Sequence, residues 1–184
     1  MTARKKIAQL HEKIRTCSKC PLHRIRNRAV PGEGSINTRV AFVGEAPGRK
    51  EDETGRPFVG RSGELLTNLI ENRLPYSRED VFITSVLKCR PPSNRTPQSE
   101  EIESCLPYLE KQLDMINPDI VVLLGGVAIS ALIGYRRVSD VHGTFYDGTH
   151  YRYFMTYHPA AALRFSKYQT LIETDFDRLG TELK

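Results

Sequence analysis

Arg39-Val-Ala-Phe-Val-Gly44-Glu-Ala-Pro-Gly48 is the stretch on which the fold turns. A short apolar run that stops at glycine is the pattern of a strand buried on both faces and feeding a loop. Two further runs share it: Asp80-Val-Phe-Ile-Thr-Ser-Val-Leu87 and Asp119-Ile-Val-Val-Leu-Leu-Gly125. Helical patterns lie around them. Thr2 to Arg15 places Ile7, Leu10 and Ile14 on one face, and a helix with Ser62 as N-cap follows through Glu64-Leu-Leu-Thr-Asn-Leu-Ile-Glu. A long helix over Gln98–Ile116 carries Cys105 and is expected to kink at Pro107. A short helix near Ala128–Ile133 and a closing helix over Tyr168–Leu183 complete the set, and Asp147-Gly148 marks a hairpin within Thr144–Met155. Strands alternating with helices predict an α/β chain: a three-layer α/β/α sandwich around a short, mainly parallel four-stranded sheet, with residues 1–184 as one domain.

Sites in such folds gather at the carboxyl ends of the strands. That rule selects the loops after Gly44, Val86, Gly125 and Thr156. Gly44-Glu-Ala-Pro-Gly48 is a tight turn that would let a flat ligand or phosphate come close, though glycine and proline mark plain turns as well. Phe58, bracketed by Gly55 and Gly60, could stack on a base or plug the core beneath a loop. His158, before Pro159, could donate to a developing oxyanion or cap a helix. Leu163 and Arg164 read either as an apolar wedge with a phosphate contact or as one turn of amphipathic helix.

The four cysteines form two pairs, Cys17-x2-Cys20 and Cys89-x15-Cys105. Such a set supplies a four-thiolate shell for zinc or for an iron–sulfur cluster. Buried free thiols and disulfides are the other readings, and the low cysteine density argues against a disulfide scaffold. On spacing alone zinc is the commoner structural ion. The basic start of the chain has an amphipathic helix pattern and no following apolar core of a signal peptide, so a cytoplasmic location is expected. No apolar stretch is long enough to span a bilayer. Across 184 residues, 27 Lys and Arg oppose 22 Asp and Glu, a net charge of +5 that favours an anionic partner such as nucleic acid.

The segments GEAPGRKEDETGRPFVGRSGELL (44–66), VFITSVLKCRPPSNRTP (81–97) and HPAAALR (158–164), with the cysteine pairs at this spacing, resemble the iron–sulfur uracil-DNA glycosylases called family 4. The resemblance runs from the first cysteine pair to about residue 165. It implies the uracil-DNA glycosylase fold and a monofunctional base excision repair enzyme. Such an enzyme flips uridine from single- or double-stranded DNA, hydrolyses the N-glycosidic bond and leaves an abasic site. It also implies a structural [4Fe-4S] cluster on Cys17, Cys20, Cys89 and Cys105, with zinc as the other occupant.

By the same resemblance Phe58 would stack on uracil, the backbone of Gly44, Glu45 and Ala46 would close around it, and His158 would donate to uracil O2. Glu45 is the first candidate for the carboxylate that stabilises an oxocarbenium-like sugar, with Glu51 and Asn94 as supporting or alternative groups. Leu163 and Arg164 would touch DNA. Ala46 occupies the position where the best-known uracil-DNA glycosylases carry a water-activating aspartate, and the resemblance to family 4 implies its absence here. Ser85 stands where family members commonly have an asparagine that reads the base, so a broader or weaker choice among deaminated bases is expected. The alternative is a non-catalytic iron–sulfur DNA-binding module on the same fold, and an electron-transfer protein is a third reading. A monomer is expected, and a sliding-clamp contact is left open.

Overall fold

The protein is described by a computed structural model that covers residues 2–134 and 136–184. Helix α1 spans Ala3–Arg15 and turns Ile7, Leu10 and Ile14 inward. The two-residue strand β1 (Glu33–Gly34) is followed by β2 (Val40–Gly44), α2 (Arg49–Thr54) and α3 (Arg61–Arg73). Next come β3 (Phe82–Ser85), α4 (Ser99–Ile116), β4 (Ile120–Leu124) and α5 (Gly126–Ile133). A single turn, α6 (Val138–Val141), leads into the hairpin of β5 (Thr144–Asp147) and β6 (Arg152–Thr156). Helices α7 (Pro159–Arg164) and α8 (Ser166–Glu182) end the chain.

The sheet order is β1-β3-β2-β4-β6-β5. The four inner strands are parallel, as expected. The expected count of four is corrected to six, because β1 and β5 add antiparallel edges. At two residues β1 is too short to leave a periodic signal, and β5 is the first arm of the hairpin marked by Asp147-Gly148. Two local expectations also change. Gly60, not Ser62, is the N-cap of α3, and α4 runs unbroken through Pro107.

Alternation along each strand splits the core in two. Val40, Phe42, Ile83, Val122 and Phe154 face α3 and α8, where they meet Leu66, Ile70, Ile172 and Phe176. Ala41, Val43, Phe82, Val121 and Met155 face the other way, onto Leu109 and Leu113 of α4 and Ala128 and Ile129 of α5. Every residue of β2, β3 and β4 is buried, which explains why these strands read as continuous apolar runs. Full burial of each large apolar side chain contributes roughly 1.5–3 kcal/mol. A third cluster joins Leu10, Ile14 and Leu22 to Leu87 and Cys89, fastening the N-terminal helix below the end of β3. At the end of β6 the buried Thr156 hydroxyl donates to Asp175 of α8 at 2.7 Å, which fixes where the next loop leaves the sheet.

Candidate active site

A cleft of about 460 Å³ opens at the carboxyl ends of β2, β3 and β6. It brings together Glu45, Ala46, Glu51, Phe58, Ser85, Asn94, His158 and Arg164 from segments far apart in the chain. Gly44 lies directly behind the wall: a Cβ there would sit 2.4 Å from the ring of Phe58. Only a glycine lets that ring close against the strand end.

Phe58 is 7% exposed and has φ +49°, an uncommon backbone for a bulky residue. A Cβ on Gly63 would come within 2.0 Å of its carbonyl carbon, so the first turn of α3 lies hard against the strained residue. Glu51 holds the same turn. Its Oε1 accepts from the backbone N–H groups of Val59 at 2.8 Å and Gly60 at 2.9 Å, donors left free at the start of α3. Glu51 is therefore in the cleft but engaged in shaping it.

The ring of Phe58 stacks near that of His158, with centroids 5.6 Å apart and planes 28° apart. His158 caps α7 by accepting at Nδ1 from the N–H of Ala160, 3.1 Å away. A ring nitrogen that accepts carries no proton, so the neutral imidazole bears its hydrogen on Nε2. Burial pushes its pKa from 6.5 down to about 4, against the opposing pull of the Glu51 carboxylate. The histidine is thus a neutral Nε2–H donor at physiological pH. The helix-cap reading holds, and the cap leaves Nε2–H as the nitrogen that could donate.

Glu45 is half-buried, and its carboxylate accepts no hydrogen bond from any described residue. Burial pushes its pKa above the ordinary carboxylate value. An ionisable group with a perturbed pKa and no structural partner, in a cleft, is a candidate for chemistry. Asn94 lies on the opposite rim, where Ser93 and Asn94 have successive positive φ values of 53° and 54°. Its Oδ1 accepts from Arg90 at 2.7 Å, and Arg95 anchors the same loop through two hydrogen bonds to the buried Glu101. Two of the four non-glycine residues with positive φ among those described, Phe58 and Asn94, therefore line this cleft.

Ser85 is 5% exposed and its carbonyl accepts from Lys88 Nζ at 2.7 Å. Lys88 was not among the residues expected at the site. Its ammonium is buried and also donates to Thr84 Oγ1 at 2.6 Å and Gln112 Oε1 at 2.7 Å. Burial pushes its pKa down to about 7. The signal for it was local: a lysine between the apolar run of β3 and Cys89. Leu163 is 48% exposed, on α7 beside Arg164.

The four cysteines are free of disulfides and line one small space with Arg26, Lys88 and Tyr108. Arg26 Nη1 donates to Cys89 Sγ at 3.0 Å, and the Lys88 backbone N–H donates to Cys105 Sγ at 3.3 Å. Among the described residues no three His, Cys, Asp or Glu side chains converge on one ion. Four cysteines around one space, with N–H donors on two of the sulfurs, form a donor set that suits an iron–sulfur cluster as it suits zinc.

Fold and cleft define a member of the uracil DNA glycosylase superfamily, whose family model matches residues 31–179. A type-4 uracil-DNA glycosylase of Pyrobaculum aerophilum is 50% identical over 167 residues, covering 86% of this chain and 85% of its own. One of Thermotoga maritima is 47% identical over 156 residues, covering 83% and 81%. A type-5 uracil-DNA glycosylase of Pyrobaculum aerophilum is 34% identical over 150 residues, covering 72% and 66%. Within the superfamily the chain belongs to the type-4 uracil-DNA glycosylases. No described helix is long and apolar enough to cross a membrane.

Proposed function

We propose that the chain removes uracil from DNA by hydrolysing the bond between uracil N1 and deoxyribose C1′. The observation that carries this reading is the pairing of Phe58 with a neutral, Nε2-protonated His158 in a cleft that also holds an unpartnered Glu45. A flipped uracil enters against Phe58, with the backbone of Gly44, Glu45 and Ala46 along its edge. As the C1′–N1 bond breaks, its electron pair passes to the base and charge accumulates on uracil O2. His158 donates to that oxygen, and the bond strengthens as the charge grows, which is where it accelerates the reaction. Glu45, ionised, stabilises the oxocarbenium-like sugar and orients the water whose oxygen bonds to C1′. That water gives one proton to solvent and keeps the other as the new C1′ hydroxyl, and the uracil anion takes up a proton from solvent.

Glu51 and Asn94 act by holding the cleft walls: the first keeps Phe58 in place, the second shapes the opposite rim. Leu163 fills the space left by the flipped nucleotide, and Arg164 contacts a flanking phosphate. Cys17, Cys20, Cys89 and Cys105 hold a [4Fe-4S] cluster with a structural role, tying α1 to the end of β3. Ser85, with a hydroxyl in place of an amide, reads the base through fewer direct hydrogen bonds, so hypoxanthine is a candidate second substrate. The test uses oligonucleotides with a single U, T, C or hypoxanthine, incubated with the protein and cleaved by alkali at abasic sites. Cleavage at U and not at C or T is expected. Absence of cleavage at U by folded, brown protein would overturn the reading.

A further inference from the structure

The cleft accounts for most of the unusual residues on its face of the molecule, but not for Phe165. This ring is 58% exposed at the junction of α7 and α8 and lines the cleft mouth beside Arg164. Among the described residues four large hydrophobic side chains are exposed, and two of them, Leu163 and Phe165, lie two residues apart here. The exposed ring does not stand alone. Phe165 meets Tyr168 at 6.0 Å with planes 81° apart, so the two rings share no face. Tyr168 in turn lies 4.7 Å from Tyr157, the residue before His158. An aromatic series therefore runs from the cleft rim to the root of the catalytic loop. At its Phe165 end the charge is of one sign. Arg164 and Lys167 flank Phe165, the Lys167 ammonium lies 4.8 Å from the Tyr168 ring, and no acidic residue occurs between His158 and Glu173.

We propose that Phe165, backed by Tyr168, is a stacking platform for the base next to the flipped uridine, so that the enzyme grips an unpaired stretch of the substrate strand beside its pocket. This rests on the cleft being the uracil pocket. An exposed aromatic face between two cations fits a base flanked by its phosphates, because stacking needs only a π-face while the cations neutralise the backbone. Continuity with the cleft selects the substrate strand as the occupant, because Arg164 and Phe165 line the same cleft that holds Phe58. The platform is distinct from the wedge role of Leu163. A wedge replaces the lost base within a duplex, whereas the platform holds a neighbouring base that is already unstacked.

The experiment is a length series of single-stranded oligonucleotides, each with one uridine and nucleotides added one at a time on either side. KM for uracil release is measured for the wild type, Phe165→Ala and Phe165→Trp. Affinity is measured in parallel by fluorescence anisotropy with thymine-only strands of the same lengths. The wild type is expected to gain affinity stepwise on one side of the uridine. Phe165→Ala should lose about tenfold at the step where the neighbouring base is added, in KM rather than kcat, and Phe165→Trp should restore it. Retention of the full length dependence by Phe165→Ala would overturn the proposal. So would a change confined to self-association in sedimentation, which would make the patch a contact between copies of this chain. Failure of the wild type to release uracil would refute the pocket reading instead, and the thymine-only series would still test the platform.

Discussion

Protonation of His158 gives a sharp test of how the cleft works. The imidazole accepts from Ala160 at Nδ1, and its pKa lies near 4. It is therefore neutral in the folded protein across the range where an ordinary histidine titrates. The unfolded chain binds a proton near 6.5 that the native state refuses until about pH 4. The contribution to stability is fully present above 6.5, is lost as pH falls from 6.5 to about 4, and changes no further below that. At roughly 1.4 kcal/mol per pH unit the loss amounts to about 3 kcal/mol. His158→Gln removes it, so the difference between variant and wild-type unfolding free energies should shift by about that amount over this window. His11, also pushed down to about 4, is the same in both proteins and cancels. In single-turnover assays the wild-type rate should show no step near pH 6.5. Its acid limb should lie above the usual carboxylate pKa and belong to Glu45, which must be ionised to act and whose pKa burial raises. His158→Ala should lower kcat by about 10²–10³, the loss associated with one oxyanion donor. A step near pH 6.5 that disappears in His158→Ala would show a titrating histidine and refute the neutral-donor assignment.

Glu51→Gln should cost about 1–2 kcal/mol in urea unfolding, because a charged acceptor is lost from two backbone N–H groups. A large fall in kcat with no loss of stability would make Glu51 a participant in the chemistry instead. Arg164→Ala should weaken DNA binding without altering base preference and reduce the slope of log K against log salt by about 1. An unchanged slope would remove the phosphate contact. Cys89→Ala should abolish the visible absorbance of the purified protein, and a colourless wild type containing zinc would displace the cluster.

The parallel sheet was legible because its strands are buried on both faces and leave uninterrupted apolar runs, as Val40–Gly44 and Ile120–Leu124 do. The edge strand β1 left no such trace, since pairing of Glu33 and Gly34 depends on β3 and not on their own pattern. Most of the site was legible for a different reason: the loops at the strand ends carry glycine, proline and aromatic residues with no other evident use. The division of labour among acids was not. Glu45 in the loop after β2 and Glu51 in α2 belong to one short stretch of sequence, and only the placement of Val59 and Gly60 separates the free carboxylate from the engaged one. Lys88 was hidden because its three acceptors come from β3 and α4, which meet only in the folded chain. Phe165 lies one residue beyond the HPAAALR segment, and its exposure at the cleft depends on how α7 and α8 meet.

The cysteine pairs also bear on the order of events in the cell. Cys17 and Cys20 belong to a segment that packs below β3, while Cys89 and Cys105 arrive only when β3 and α4 have taken their places. The four thiols have no shared space until the parallel strands are paired across long stretches of chain, the slowest kind of contact to form. The proposed cluster, which needs all four thiols, would then close on a chain that has largely folded, unlike a zinc finger, whose metal organises the polypeptide from the outset. Supply of iron and sulfide would then limit how much of the finished protein matures, more than how much of it folds.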